Sequence, residues 1–129
     1  MRVLKVGVAT LEQMKARTLA IARGEIKVTS SDPKVWVPSA ETFAKVLSSG
    51  NRELLSIIVS EHPKSLKELA EISGRRSSNL SRTLKTMEKY GLVKLGKNKG
   101  QIVPRVTHDR VELALTFGAP VKRRELAKR

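Results

Sequence analysis

The chain has 129 residues, of which 40% are hydrophobic, and carries 26 Lys and Arg against 12 Asp and Glu, for a formal net charge of +14. That length supports one modest core, or one core with a small appended module, and excludes two large domains. The charge calls for a polyanionic partner, and the absence of cysteine excludes a disulfide framework and thiolate metal sites.

Residues 1–8 alternate loosely, with Leu4, Val6 and Val8 on one side and Lys5 on the other, as a strand would. Thr10 with Gln13 three residues on is a capping box that starts a helix running to about Arg23, where Gly24 closes it. Leu11, Met14, Thr18 and Ala22, flanked by Leu19 and Ile21, give it an apolar stripe that is expected to pack into the core. Ile26 to Thr29 and Lys34 to Val37 read as short strands on either side of a Ser-Ser-Asp-Pro turn, and Pro38 breaks into the next unit. Ser39 opens a helix carrying Phe43, Val46 and Leu47. Asn51 is expected to cap the next, about 52–61, whose Leu54, Leu55, Ile57, Ile58 and Val59 make it the most apolar helix of the chain. Pro63 stops it.

Ser65 and Glu68 form a second capping-box pattern, so a short helix starts at Leu66 with Leu69, Ala70 and Ile72 inward, and Ser73-Gly74 ends it. Ser77 or Ser78 can cap another helix directly afterwards, which is a helix-turn-helix spacing. In this last helix, about 78–90, Leu80, Leu84 and Met87 form an apolar stripe. Ser78, Arg82, Lys85 and Lys89 fall opposite it at ~100° per residue. One face packs and the other is cationic. Arg pairs bidentately with guanine and Asn with adenine, so Arg82 and Asn79 are the candidates for reading bases. Ser77, Ser78 and Ser81 stand beside them, with Arg75 and Arg76 before the helix. Lys85 and Lys89 are placed for phosphate.

After Gly91, residues 92–95 and 101–106 read as two strands around Gly96-Lys97-Asn98-Lys99-Gly100, a wing whose Lys97, Asn98 and Lys99 would lie on the sugar-phosphate backbone or in the minor groove. Val111, Leu113, Leu115 and Phe117 alternate as one more half-buried strand, which needs a partner; the N-terminal strand, in the same subunit or in a second copy, is the obvious one. Residues 118–129 form a basic tail, available for nonspecific phosphate contacts.

Three stretches, Ser-Leu-Lys-Glu-Leu-Ala (65–70), Ser-Asn-Leu-Ser-Arg-Thr-Leu-Lys (78–85) and Met-Glu-Lys-Tyr-Gly-Leu-Val (87–93), resemble the winged helix-turn-helix regulators of prokaryotes, in the broad style of the MarR and ArsR families. The chain departs from both in its N-terminal part and in lacking a metal-sensing cysteine cluster. It is also similar to small prokaryotic DNA-binding proteins that include antitoxin-like members. The resemblance implies an α+β fold: a three-helix winged helix-turn-helix core with a β-hairpin wing, preceded by a strand-helix module. The expected organisation is therefore 1–38, a module for dimerisation or partner binding; 39–117, the DNA-binding domain with its C-terminal strand; and 118–129, the tail.

Enzymatic chemistry finds little support. His62 abuts Pro63 at a helix end, His108 and Asp109 sit in a turn, and no acidic pair has a spacing suited to nuclease metals. Gly96 to Gly100 lacks the ending of a nucleotide loop. No metal or cofactor is expected. Aromatics make up only 3% of the chain, which favours duplex DNA over a stacked single strand. No apolar run approaches 20 residues, and a membrane partner is not expected. The expectation is a cytoplasmic, nucleoid-associated homodimer that binds double-stranded DNA and regulates transcription. An antitoxin that also binds a toxin, and a nonspecific architectural protein, are the alternatives.

Overall fold

The computed structural model describes residues 2–117, so the basic tail at 118–129 lies outside the described residues. Ten elements follow one another: β1 (Val3–Val8), α1 (Leu11–Ala22), β2 (Val35–Val37), α2 (Ala40–Val46), α3 (Ser49–Glu61), α4 (Leu66–Ser73), α5 (Ser77–Lys89), β3 (Val93–Asn98), β4 (Gln101–Val106) and β5 (Arg110–Ala114). Over the described residues the fold is α+β, with five helices, a three-stranded sheet and a two-stranded hairpin.

The three-stranded sheet has the order β2-β1-β5 and is parallel throughout. Val6 stands beside Val35 on one side and Leu113 on the other, so Leu4, Val6, Val35, Val37 and Val111 share a face. That face closes on the helices: Leu4, Val6 and Val37 belong to the same buried cluster as Phe43, Leu54, Leu84, Met87 and Leu92. The last strand therefore finds its partner in the first strand of the same chain. Asp109 clamps the join, since the backbone N–H of Arg2 donates to its carboxylate at 2.6 Å and its own N–H donates to the Arg2 carbonyl at 2.8 Å.

The other face of the sheet is built around Gly7. A Cβ there would lie 2.4 Å from the Trp36 ring, so the ring lies across β1 only because residue 7 has no side chain. The Arg17 guanidinium sits 5.2 Å from the centre of the Trp36 ring and 3.5 Å from Asp32, which ties α1 to the strand it precedes. The Thr29 N–H donates to the Asp32 carboxylate and is the largest cause holding its pKa below the usual carboxylate range; Arg17 adds to it.

Several expectations are corrected. The capping box at Thr10 and Gln13 forms in full, but α1 buries no residue completely. Met14, Arg17, Ala20 and Ile21 turn inward, whereas Leu11 is 71% exposed and Leu19, Thr18 and Ala22 also face outward. The stripe read from the sequence followed the apolar residues, whereas the contact is set by Trp36 and Arg17. Ile26 to Thr29 is not a strand, because the N–H groups of Glu25 and Ile26 both turn back to the Ala20 carbonyl after the helix end. Ser48, not Asn51, caps α3, accepting from the Asn51 N–H. Arg76, not Ser77 or Ser78, stands at the cap position of α5 and makes no side-chain cap. Ile72 is exposed, and β5 stops at Ala114, leaving Leu115 and Phe117 beyond the sheet and uncovered. Ser65 accepts from the Glu68 N–H at 3.0 Å, while the Glu68 carboxylate reaches the Lys64 N–H instead of closing the box on Ser65.

The hairpin turn is tighter than the glycine spacing suggests. β3 runs to Asn98 and β4 begins at Gln101, leaving Lys99 (φ 53°) and Gly100 (φ 79°) as the two turn residues. Positive φ at both is the type I′ signature that suits the twist of a hairpin. A lysine in the left-handed region is strained. Lys99→Asn is therefore expected to raise stability by about 0.5–1 kcal/mol in denaturant melts. A neutral or lowered midpoint would show that the turn is not of this type.

Candidate nucleic-acid interface

α4 and α5 meet through a three-residue turn. Gly74 (φ 76°) closes α4, its N–H donating to the Ala70 carbonyl at 2.9 Å. Arg75 follows, and its guanidinium turns back into the protein: Nη1 donates to Asn51 Oδ1 at 3.0 Å, and Asn51 Nδ2 donates to the Val46 carbonyl at 3.0 Å. Arg75 is half-buried and links the helix-helix turn to α3 and the end of α2. Of the twelve residues singled out from the sequence it is the one held by another side chain among the described residues.

From Ser77 the helix presents two faces. Leu80, Leu84 and Met87 are fully buried, and α5 packs on α4 and β3 through them. Arg76, Ser77, Ser78, Asn79, Arg82, Lys85 and Lys89 are exposed, and Ser81 is half-buried at the edge of the packed face. At ~100° per residue Ser78, Arg82, Lys85 and Lys89 lie opposite the buried stripe, with Asn79 and Thr86 along one flank. The Thr86 hydroxyl donates to the Arg82 carbonyl at 3.1 Å, which keeps it on the helix.

Glu88 is the one acidic residue between positions 75 and 106, against nine Lys or Arg. Its carboxylate is committed to the backbone, accepting from the Leu95 N–H at 3.2 Å and fixing the hairpin to the helix that precedes it. Among the described residues the salt bridges are Arg17 with Asp32 and Arg110 with Glu112, so no cation of α5 or the hairpin has a carboxylate within 4.0 Å. Nine cations against one carboxylate leave this side strongly positive among the described residues.

The hairpin carries Lys97 and Asn98 at the end of β3 and Lys99 in its turn, all exposed. The register adds a pair that the sequence reading passed over: Lys94 stands directly opposite Arg105, both exposed. Like charges facing each other across two strands are destabilising unless an anion lies between or above them. The alternation of Val93, Lys94 and Leu95 was the available signal for the first; for Arg105 only the strand register supplies it. Among the described residues no three His, Cys, Asp or Glu side chains gather as a metal site, and no helix is long and apolar enough to cross a membrane.

The model of the HVO_A0114 family matches residues 46–113, a little over half of the chain, from the end of α2 through most of β5. Among solved structures, a crystal structure described as that of a predicted DNA-binding transcriptional regulator from E. coli aligns over 77% of this chain and 85% of its own, with 22% identity and a TM-score of 0.44. That likeness is loose and transfers no function. No curated protein matches the sequence.

Proposed function

The chain belongs to the HVO_A0114 family, and from that premise and the geometry above we propose that it is a sequence-specific, double-stranded DNA-binding transcriptional regulator of winged helix-turn-helix form. The observation that carries the reading is α5: fully buried aliphatic contacts behind, and in front Arg82, Lys85 and Lys89, which no carboxylate of the described residues approaches within 4.0 Å. In this reading α3, α4 and α5 are the three-helix core, α5 enters the major groove, and β3 and β4 form the wing. Asn79 and Arg82 read base edges, with Ser77, Ser78 and Ser81 beside them, while Arg76, Lys85 and Lys89 hold phosphates. Lys97, Asn98 and Lys99 lie on the backbone or in the minor groove. Arg75 supports the turn and does not itself meet DNA. The setting is the nucleoid.

The protein acts as a homodimer in this reading, because one recognition helix reads only a few base pairs and two copies about a helical turn apart multiply the discrimination. The free edge of β5, with exposed Leu113 and the uncovered Leu115 and Phe117 beyond it, is the surface we assign to the second copy. Leu113→Lys is expected to turn a dimer into a monomer in sedimentation equilibrium; an unchanged mass would move the contact elsewhere. The same exposed side chains, together with Leu11 and Leu19 on α1, favour a second reading in which the N-terminal part takes up a toxin and the winged helix represses its operon. A small toxin-like reading frame beside the gene would favour it.

The decisive experiment selects bound fragments from the source genome and compares the best of them with random duplex at rising salt. A regulator prefers its site by about 10³ or more. Equal affinities would instead make the protein an architectural DNA binder.

A further inference from the structure

Away from α5, a group of cations with no salt-bridge partner among the described residues surrounds a cavity. The free edge of β4 and the C-terminal end of α3 wall a cleft of about 790 Å³, within the ~300–1,000 Å³ range of small-molecule sites. Its inner lining is apolar: Ile58, Pro63 and Pro104 are buried, and Val103 and Val106 half-buried. Its rim is cationic, with Arg2, Lys64, Lys99 and Arg105, none of which has a carboxylate of the described residues within 4.0 Å. The carboxylate at the rim, Asp109, already accepts from the Arg2 backbone N–H. One wall is fixed by Thr107, whose hydroxyl donates to the Gly91 carbonyl at 3.2 Å and lies 2.8 Å from His108 Nδ1.

We propose that this cleft binds a small amphiphilic organic anion, an apolar body seated on Ile58, Pro63 and Pro104 with its acidic group toward Lys64 and Arg105. Charge alone would suit inorganic phosphate or the backbone of a nucleic acid equally well. The apolar lining decides against both, because neither brings a surface that gains by covering aliphatic side chains. The ligand bridges the end of α3, the hairpin and the start of β1, and so touches the element that carries Lys97 and Lys99. Only that last consequence, an effect on DNA, rests on the reading given under Proposed function; binding itself does not.

The test titrates the full chain with 8-anilinonaphthalene-1-sulfonate and, separately, with uncharged N-phenyl-1-naphthylamine, following the dye fluorescence. The sulfonate is expected to saturate one site per chain. Lys64 and Arg105 are exposed, so the double variant Lys64→Glu, Arg105→Glu should fold normally, which its melting curve checks. It is expected to bind the sulfonate at least about tenfold more weakly while changing the uncharged amine by less than about twofold. Equal binding of the two dyes by the native chain, non-saturating fluorescence, or a sulfonate affinity indifferent to the two glutamates would each overturn the site. So would one-for-one release of the sulfonate by random duplex DNA that persists in the Arg82→Ala, Lys85→Ala, Lys89→Ala variant, because the cleft would then be taking phosphate backbone directly. A chain that takes the dye but no duplex keeps this site and loses the DNA-binding reading.

Discussion

Replacing Arg82 with alanine is expected to cut the preference for the selected duplex over a random one by about ten- to hundredfold, the ~1–3 kcal/mol of one bidentate base contact. The melting temperature should not change. The stability expectation follows from the structure: Arg82 is exposed, its side chain has no hydrogen-bond or salt-bridge partner among the described residues, and surface changes of this kind stay within about 0.5 kcal/mol. Two neighbours separate the roles. Lys97→Ala should weaken every duplex alike and reduce the salt slope by about 0.9, the share of one phosphate. Arg75→Ala should behave in the opposite sense to Arg82→Ala, losing about 1–2 kcal/mol of stability because Asn51 Oδ1 is left without its donor. If Arg82→Ala instead lowered affinity for all duplexes equally, the base-reading role of the N-terminal half of α5 would be gone. Fluorescence anisotropy at several salt concentrations makes that distinction.

The contrast between Arg75 and Arg82 also marks how far the sequence alone reaches. Both are arginines near the start of the same helix, and local pattern places both on a cationic segment. What separates them is Asn51, twenty-four positions earlier, which no periodicity connects to residue 75. The stripe of α5 was legible because Leu80, Leu84 and Met87 recur at helical spacing and nothing competes for them. On α1 the same logic misled, since Leu11 and Leu19 are apolar yet exposed, while Arg17 turns inward to cover Trp36. Aliphatic content predicts burial only when the surface it faces is known, and here that surface is a tryptophan lying across a glycine in another strand. The parallel pairing of β1 with β5 has the same character. The need of the last strand for a partner was visible in its alternation, but a join between residues more than a hundred positions apart is settled by tertiary packing.

Leu84→Ala is expected to be the most damaging conservative truncation in the recognition helix, at about 3–5 kcal/mol. Leu84 has no solvent exposure and sits between Leu80 and Met87, in the same buried cluster as Leu54, Leu69 and Phe43. Truncation leaves a cavity bordered by two helices that other contacts hold in place, so relaxation can close little of it. For a chain of this size the loss corresponds to a fall in melting temperature on the order of 10–20 °C. It is also a large fraction of the ~5–15 kcal/mol that stabilises an ordinary domain. Lys85→Ala, one residue on and exposed, serves as the control and should leave the melting curve within about 0.5 kcal/mol of the native chain. The two faces of the helix would then have been separated by neighbouring substitutions, one acting on stability and the other on DNA. A loss below about 1 kcal/mol for Leu84→Ala would mean that the stripe is not packed as described. The outward placement of Arg82, Lys85 and Lys89, which depends on the same rotation of α5, would fall with it.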